Sequence, residues 1–474
     1  MNDTSSLLAS SIETICAPAT PDGQGGVGIV RVSGPKAKLI AKAITGSVPK
    51  NRTLEYSSFY DSEGLLIDRG LAVIFEHPNS YTGEDILELH GHGGYYVQQN
   101  ILITVLKCGA RLANPGEFSE RAFLNNKIDL IQAEAIADII GANSSRGAML
   151  AAKTLKGEFS QHINVLLKEL IALRVEVEAS IDFSDENIDF ITEKNVVNRL
   201  ATVSQQIEKL IINGRQGAVL KNGINVVIAG PPNAGKSSLL NVLSQEDTAI
   251  VTPIAGTTRD LLNEKIIIDD IPINITDTAG LRSTDDPIEY AGIERAKNAI
   301  EQADHIILVL DANDIKQTSS SSAEKLFPSE IANQPKLLEK TLIIMNKIDL
   351  SNEPKPKVTN EKMTFFKNVF DFKCIYLSAK ESIGIENLKI EIKNKSQLTD
   401  VTENMFIAKE RQLAALKDSL ELIETASVQL AKNRTLDLIA EDLRLAQQCL
   451  GRITGDFKSD DLLGEIFSNF CIGK

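Results

Sequence analysis

The sequence has no tryptophan, and aromatic residues make up only 5% of its 474 residues. Its 5 cysteines are scattered without a C-x-x-C pair. That pattern excludes zinc-ribbon spacing and gives no indication of a disulfide framework. No apolar run approaches the ~20 residues that a membrane-spanning helix needs, and the first residues lack the basic region of a secretory signal. These absences predict a soluble, cytoplasmic protein without a membrane partner.

Positive charge is also in short supply. Lysine and arginine number 50 against 64 aspartates and glutamates, for a formal net charge of −14. This balance argues against a broad surface for nucleic acid and leaves room only for a local basic site. A hydrophobic share of 43% over this length indicates a globular chain of two to four domains.

The stretch Gly230–Ser238 fits the pattern G-x-x-x-x-G-K-[ST]. The apolar run Ile224–Ala229 before it predicts a strand, and the residues from Ser238 to Leu243 predict a helix. Backbone N–H groups of such a loop and the start of its helix converge on an anion. Lys236 is expected to reach the outer phosphates, and Ser237 to offer its hydroxyl to Mg²⁺.

Further motifs follow in a fixed order, each at a predicted strand end or in the loop beside one. They are the loop 252–260, the Asp277-Thr-Ala-Gly280 turn, the Asn346-Lys347-Ile348-Asp349 element and the Ser378-Ala379-Lys380 turn. A carboxylate at Asp349 can accept hydrogen bonds from guanine N1–H and the 2-amino group, which adenine does not offer, so GTP is predicted over ATP. The predicted GTP-binding residues are Asn233, Ala234, Gly235, Lys236, Ser237, Ser238, Thr252, Pro253, Ile254, Ala255, Gly256, Thr257, Thr258, Asp277, Thr278, Ala279, Gly280, Asn346, Lys347, Asp349, Ser378, Ala379 and Lys380.

The sequence departs from the usual small-GTPase pattern at one position that matters for catalysis. Many small GTPases orient the attacking water with a glutamine just after D-x-x-G, but Leu281 stands there and cannot polarise water. Asn233 and the carbonyl-rich loop 252–257 are therefore predicted to hold a monovalent cation that supplies positive charge. Glu289 is a candidate for positioning water, and a solvated loop carboxylate is the equal alternative.

The first 125 residues predict a small α+β domain. Arg31 lies within an apolar strand, and Glu88 alternates with Leu87 and Leu89, so that it points away from their face. Two interpretations of Arg31 and Glu88 remain open: they bind a ligand, or they belong to a solvated face of the sheet. The string His90-Gly-His92-Gly-Gly94 is predicted to be a tight loop rather than a metal site, because no carboxylate or cysteine cluster accompanies it.

Residues 126–218 and 396–474 carry apolar positions at helical spacing, and are predicted to form one bundle into which a GTPase domain (219–395) is inserted. The GTPase domain is predicted to have a mostly parallel, doubly wound sheet with the nucleotide at the carboxyl ends of its strands. The acidic stretch 182–189 lacks the glycine and final glutamate of a calcium loop. Cys471 is flanked by apolar residues, and an inert terminal thiol is its plainer interpretation.

Taken together, these strings resemble the bacterial tRNA-modification GTPases of the MnmE (TrmE) family over nearly the whole length. The strings outside the GTPase motifs narrow the resemblance to that family. They are Gly25-Gly-Val-Gly-Ile-Val-Arg31, Tyr81-Thr-Gly-Glu-Asp-Ile-Leu-Glu88, His90-Gly-His-Gly-Gly94, Gly116-Glu-Phe-Ser-Glu-Arg-Ala-Phe123, Asn126-Lys-Ile-Asp-Leu130 and Phe470-Cys-Ile-Gly-Lys474.

The resemblance implies an N-terminal α+β domain (1–125) that binds folate and dimerises, a helical domain and a Ras-like GTPase domain. Matching positions imply tetrahydrofolate contacts at Arg31, Glu88, Lys127 and Lys474, with 5-formyl- or methylenetetrahydrofolate as the ligand. They imply K⁺ ligands at Asn233, Thr252, Ile254 and Thr257, Mg²⁺ ligands at Ser237 and Thr258, and water positioning by Glu289.

For function, the resemblance implies a homodimer whose GTPase domains meet face to face during hydrolysis. It implies a complex with the FAD-dependent protein MnmG that places an aminomethyl-type group on carbon 5 of the wobble uridine of certain tRNAs, with Cys471 required. Two alternatives stay open. A ribosome-assembly GTPase acting as an RNA-binding switch would share the GTPase motifs, though this acidic chain lacks the usual basic domain. A non-enzymatic, GTP-gated scaffold is the other.

Overall fold

A computed structural model describes residues 13–21, 23–142, 144–182, 193–246, 263–268, 271–277, 297–315, 327–350, 355–365, 368–395, 405–432, 436–456, 460–468, 470 and 473. The strands, in chain order, are β1 (Ile15–Pro18), β2 (Gly25–Ser33), β3 (Glu55–Tyr60), β4 (Leu66–Phe75), β5 (Ile86–Gly93), β6 (Arg111–Leu112), β7 (Ile224–Ala229), β8 (Asn263–Ile268), β9 (Ile271–Asp277), β10 (His305–Asp311), β11 (Thr341–Asn346), β12 (Lys357–Phe365) and β13 (Asn368–Tyr376).

The helices, in chain order, are α1 (Ala37–Thr45), α2 (Tyr95–Lys107), α3 (Glu117–Leu124), α4 (Leu130–Ile140), α5 (Ser145–Leu155), α6 (Glu158–Asp182), α7 (Glu193–Asn222), α8 (Lys236–Glu246), α9 (Ala312–Ile315), α10 (Ser329–Ala332), α11 (Pro335–Glu339), α12 (Ile385–Lys395), α13 (Glu410–Ala431), α14 (Leu436–Thr454) and α15 (Asp460–Ser468). None of these helices combines the length and hydropathy that crossing a bilayer requires.

The chain forms two compact units. The first contains residues up to Ile140, Ala152–Leu210 and the residues from Glu410 onward, and the second contains Gly141–Ala151 and Ile211–Lys409. In sequence, the second unit therefore interrupts the first, as the inserted GTPase domain predicts. The three boundaries between the predicted segments, after residues 125, 218 and 395, stay predictions, because these units group the N-terminal sheet with most of the helices.

The sheet of the first unit has the order β3-β4-β5-β2-β1-β6. Its strands pair antiparallel except for β1 and β6, which pair parallel. One face is covered by α1 and α2, where Val30, Val32, Leu87 and Leu89 are fully buried in a shared core. Because strand side chains alternate, Arg31 and Glu88 lie on the opposite face. That face carries the candidate site described below.

The helices of the first unit form a layer of α4, α6, α13 and α14, in which α14 packs against the other three. Apolar residues at helical spacing make the seam, with Leu416 and Ile423 of α13 facing the core. One buried polar contact joins α4 to α13, where both carboxylate oxygens of Glu134 accept hydrogen bonds from the guanidinium of Arg411 at 2.9 and 2.6 Å. The predicted helical bundle is thus present.

The sheet of the second unit has the order β12-β13-β11-β10-β7-β9-β8. Its five inner strands run parallel, and antiparallel hairpin partners close both edges. After β7 the chain builds one side of the sheet, with β9 and β8, before β10 starts the other side. The order therefore reverses between β7 and β10, which is where doubly wound folds bind ligands at the carboxyl ends of their strands.

The structure corrects one local prediction. Residues His90 to Gly93 belong to strand β5, so they are not a tight loop. Gly91 and Gly93 fit there because they lie on the face where α2 and the start of β2 come close. The described residues contain no cluster of three or more histidine, cysteine or acidic side chains that could hold a metal. The acidic residues from 183 to 189 lie outside the described residues.

Candidate functional site

The loop 230–235 joins β7 to α8 in the second unit, and α8 begins at Lys236, two residues before the predicted start. The ammonium of Lys236 donates hydrogen bonds to the carbonyl oxygens of Gly230 at 2.9 Å and Pro231 at 3.0 Å. Lys236 is buried, whereas Ser237 and Ser238 in the first turn of the helix are both exposed. The lysine therefore lies across the loop, and the backbone N–H groups that start α8 are of the kind that bind an anion.

Three loop residues, Gly230 among them with a φ of 140°, have a backbone that most side chains avoid. Asn233 has a φ of 62° and Gly235 a φ of 95°. A Cβ added at Gly235 would lie 2.2 Å from Nδ2 of Asn346. Only glycine allows the phosphate loop to approach the guanine motif this closely.

Asn346 joins three loops. Its Nδ2 donates to the carbonyl oxygen of Ala234 at 2.8 Å, and its Oδ1 accepts from the backbone N–H of Ala379 at 2.9 Å. The side chain is buried, so these bonds form away from competing water. The phosphate loop and the 378–380 turn are thereby held in one arrangement around the end of β11.

Asp349 is oriented by the neighbouring turn. The hydroxyl of Ser378 donates to its Oδ1 at 2.6 Å, and Ser378 itself is fully buried. A carboxylate fixed in this way presents acceptors for the paired N–H donors of a guanine edge. Lys380 is exposed and lies 3.7 Å from Glu381.

Lys347 is held by residues that lie outside the GTPase motifs. Its ammonium lies 3.0 Å from Oδ2 of Asp311, the last residue of β10. Oδ1 of the same carboxylate accepts from the backbone N–H of Asn313 at 2.9 Å. Burial would raise the pKa of Asp311, but the hydrogen bonds from Asn313 and Lys347 outweigh it and hold the pKa below its usual range. Its position directly after the apolar run from Ile306 to Leu310 was the available sequence signal.

Several predicted residues lie outside the described residues. Asp277 is described as the last residue of β9. The predicted site residues without a described position are Thr252, Pro253, Ile254, Ala255, Gly256, Thr257, Thr258, Thr278, Ala279, Gly280, Glu289, Cys471 and Lys474.

In the first unit, Arg31 of β2 and Glu88 of β5 stand directly opposite each other in the strand register. The Nε atom of Arg31 lies 2.8 Å from Oε1 of Glu88, and Nε2 of His90 lies 3.1 Å from the other oxygen. Glu88 is only 15% exposed, so this part of the sheet is not simply a solvated face. Burial would raise the pKa of Glu88, but the contacts with His90 and Arg31 outweigh it and lower the pKa.

Aromatic rings and Gly473 lie around this ion pair. The guanidinium carbon of Arg31 lies 5.9 Å from the ring centres of both Tyr81 and Phe118. Burial raises the pKa of the Tyr81 hydroxyl, which is hydrogen-bonded to Ser119 at 2.7 Å. Nη1 of Arg31 also donates to the carbonyl oxygen of Gly473 at 3.4 Å. Two predicted folate contacts, Arg31 and Glu88, are therefore brought together.

Lys127 has a different immediate partner. It is exposed, and its ammonium donates to the carbonyl oxygen of Pro78 at 2.8 Å. Its stem runs beside Gly83, so it contacts both ends of the 78–83 loop that also supplies Tyr81. The structure thus relates Lys127 to the ion pair through this loop, without a hydrogen bond between them.

A buried polar network under the same loop was not predicted. Arg121 of α3 pairs with Glu84 at 3.0 Å and with Glu117 at 2.8 Å. Glu84 also accepts from the hydroxyl of Ser33 at 2.7 Å, and Ser33 bonds to Thr82 at the same distance. This network ties β2 and α3 to the loop that carries Tyr81. The available sequence signal was the position of Glu117 and Arg121. These charged residues lie four apart in the segment 117–124, whose uncharged residues are mostly apolar.

Comparison with known families agrees with this arrangement. Residues 14–127 match the model described as "GTP-binding protein TrmE N-terminus", and residues 130–471 match the model described as "MnmE helical domain". The second match alone spans more than half of the chain.

Curated relatives match almost end to end. The tRNA modification GTPase MnmE of Coxiella burnetii (strain Dugway 5J108-111) is 49% identical over 462 residues, covering 98% of this chain and 99% of the relative. The tRNA modification GTPase MnmE of Proteus mirabilis (strain HI4320) is 48% identical over 465 residues, covering 98% and 100%. Among solved structures, a point variant of Aquifex aeolicus Era bound to GDP.AlF4- is 24% identical, with a TM-score of 0.26 over 42% of this chain and 65% of that one.

A structural similarity with so low a TM-score does not help to identify the family of this chain. The family models and the curated relatives identify it. These cover both the N-terminal sheet with its Arg31–Glu88 pair and the unit with the nucleotide loops. The chain belongs to the MnmE (TrmE) family of tRNA-modification GTPases, and it is a GTP hydrolase involved in tRNA modification.

Proposed function

We propose that this GTPase, stimulated by K⁺ and assisted by Mg²⁺, acts with an FAD-dependent MnmG partner on carbon 5 of the wobble uridine of certain tRNAs. A tetrahydrofolate derivative bound to the N-terminal domain supplies the methylene of the added aminomethyl-type group. The protein acts in the cytoplasm as a homodimer, and hydrolysis is coupled to pairing of its GTPase domains.

One observation carries this proposal: the Arg31–Glu88 pair, flanked by Tyr81 and Phe118, lies against the carbonyl group of Gly473. A carboxylate that is largely shielded from water is a good acceptor for the adjacent N–H donors of a 2-amino-4-oxo ring such as a pterin. Aromatic faces beside it suit the stacking of a flat heterocycle. Lys127 and Lys474 supply cationic groups for the carboxylates of a folate tail.

In the second unit, different residues bind the phosphates and the guanine of GTP. The N–H groups that begin α8 and the ammonium of Lys236 hold the phosphates, and Asp349 with Asn346 selects guanine. When bound, Mg²⁺ and K⁺ neutralise charge that develops on the phosphates. The Ser237 hydroxyl and the exposed Asn233 amide are oxygen donors of the kind these hard cations accept. Thr258 completes the proposed Mg²⁺ set, and Thr252, Ile254 and Thr257 complete the K⁺ set.

Catalysis in this proposal differs from that of GTPases with a glutamine after D-x-x-G, because Leu281 cannot orient water. Glu289 takes that role. Cys471 is assigned to tRNA modification and has no part in GTP hydrolysis.

Folate binding tests the proposal most directly. Titration with 5-formyltetrahydrofolate should show binding to the wild-type protein and a large loss in Glu88→Gln, while the Glu63→Gln variant of an exposed loop carboxylate binds normally. An absence of binding by the wild-type protein would remove the folate part of the proposal.

Two further measurements test the remaining parts. GTP turnover should be much faster in KCl than in NaCl, and equal rates in the two salts would remove K⁺ from the proposal. Nucleoside analysis of tRNA from a strain without this gene should show an unmodified wobble uridine. Complementation by Cys471→Ser should leave that uridine unmodified while the purified variant hydrolyses GTP.

A further inference from the structure

Asp311 stands at a central position of the second sheet. Its strand β10 lies between β7, which leads into the phosphate loop, and β11, which leads into the guanine motif. The register places Asp311 directly beside Asn346. A Cβ at Gly230 would lie 2.2 Å from the carbonyl oxygen of Val309, so the phosphate loop begins against the end of this same strand. Asp311 is therefore at the point where the strand order reverses and ligands bind.

Asp311 and Asn313 together hold both ends of Lys347. The carboxylate of Asp311 lies 3.0 Å from the ammonium of Lys347, and it accepts from Nδ2 of Asn313 at 3.1 Å. That same Nδ2 lies 3.5 Å from the backbone carbonyl oxygen of Lys347. The side chain of Asp311 is 16% exposed and that of Lys347 is 32% exposed, so the pair is partly shielded from water.

These contacts matter because Lys347 has an unfavourable backbone. Its φ is 65°, in the left-handed region that a lysine seldom adopts without support. Asn346 before it is fixed by Ala234 and Ala379, and Asp349 after it is fixed by Ser378. Lys347 is the remaining part of the loop, and its described side-chain partner is Asp311.

We propose that Asp311 is a positioning residue for guanine-nucleotide binding that acts through Lys347. It neutralises the ammonium, so that this lysine does not compete with Lys236 for the phosphates, and it supports the left-handed backbone of Lys347 between Asn346 and Asp349. A loop ordered before binding loses less entropy when the nucleotide arrives. This inference rests on the guanine-nucleotide site proposed above.

The test uses the full-length protein and a fluorescent GDP analogue. Asp311→Asn removes the charge with little change in shape, and it should speed GDP dissociation and raise KM for GTP by about fivefold to tenfold. The change in kcat should be smaller than the change in KM. Inosine triphosphate lacks the 2-amino group that Asp349 recognises. Its KM should rise by the same factor, because Asp311 acts on Lys347 and not on Asp349.

A matched control lies just before the other end of the same strand. Asp304 accepts a hydrogen bond from the backbone N–H of Asn225 at 2.9 Å, far along the strand from the nucleotide loops. Asp304→Asn should leave GDP dissociation unchanged. In a Lys347→Ala background, Asp311→Asn should add little to the dissociation rate, because the coupled partner is already gone.

Three results would overturn the proposal: unchanged GDP dissociation in Asp311→Asn, an equal acceleration in Asp304→Asn, or a full effect of Asp311→Asn without Lys347. A larger rise in KM for GTP than for inosine triphosphate would also count against it, since that result would place the damage at Asp349. If the wild-type protein does not bind fluorescent GDP, the nucleotide site itself is wrong. That failure is distinct from a failure of the role given to Asp311.

Discussion

The guanidinium of Arg31 donates a hydrogen bond to the carbonyl oxygen of Gly473, which lies 442 residues further along the chain. The same guanidinium is paired with Glu88, so the second strand, the fifth strand and Gly473 meet at one side chain. Gly473 has a φ of 94°, and a Cβ there would lie 2.0 Å from the carbonyl oxygen of Pro18. The tail therefore fits beside Arg31 only with glycine at this position.

Gly473→Ala is expected to displace the tail and weaken binding of 5-formyltetrahydrofolate by at least tenfold, about 1.4 kcal/mol or more. Isothermal titration would measure the loss. Gly464→Ala in α15 is the matched control, because a Cβ at that glycine meets no atom of another described element within 4 Å. Equal folate affinity of the Gly473 variant and wild type would show that the tail takes no part in the site.

Gly235→Ala is expected to abolish tight GDP binding. The added methyl group would collide with the amide of Asn346 and separate the phosphate loop from the guanine motif, and the φ of 95° disfavours alanine as well. Fluorescent-GDP titration should show at least a hundredfold loss, about 2.7 kcal/mol. A loss confined to thermal stability, with GDP affinity intact, would mean that the loops do not need this close approach.

Glu134→Gln is expected to destabilise the first unit. Both oxygens of Glu134 accept hydrogen bonds from Arg411, and one also accepts from the amide of Gln412 at 2.7 Å. In the variant, the NH₂ group of the new glutamine would face these donors and could not accept from them. Since Glu134 is 8% and Arg411 21% exposed, the cost should be about 2 to 3 kcal/mol in urea unfolding. Glu441→Gln, in an exposed pair with Arg444, should change little. Similar effects of both variants would contradict this reasoning.

His305 is expected to make the stability of the second unit depend on pH. Burial, followed by the nearby charge of Lys395, lowers its pKa below the ordinary value of 6.5. Asp304 opposes the shift and Lys340 adds to it, both more weakly. Below pH 6.5 the unfolded chain binds a proton that the folded state resists, so stability falls with pH until the folded pKa is reached.

Thermal unfolding between pH 5 and pH 8 would measure this dependence. His305→Asn should flatten the fall in stability on the acidic side, whereas the same change at the exposed His162 of the first unit should not. An unchanged pH profile in the His305 variant would assign the acid sensitivity to other groups.

Much of the second unit could be predicted because its signals are local. The run from Ile224 to Ala229 forms a buried strand, and the glycines and Lys236 that follow form the turn and the helix start that the spacing requires. The first unit was harder. Strands β1, β3 and β6 are short or carry mixed polar residues, and the histidine–glycine string could be assigned to a strand only once its neighbours β2 and β4 were in place.

The sequence by itself determined the family, the choice of guanine and the helical periodicity, because spacing along the chain is enough to encode them. Only the tertiary structure decided which distant groups meet. It placed Arg31 against Glu88 and Gly473, Asn346 against Ala234, and Asp311 against Lys347. These contacts depend on strand register and on the order of strands in each sheet. They are set by the packing of whole elements, and no local pattern of residues records them.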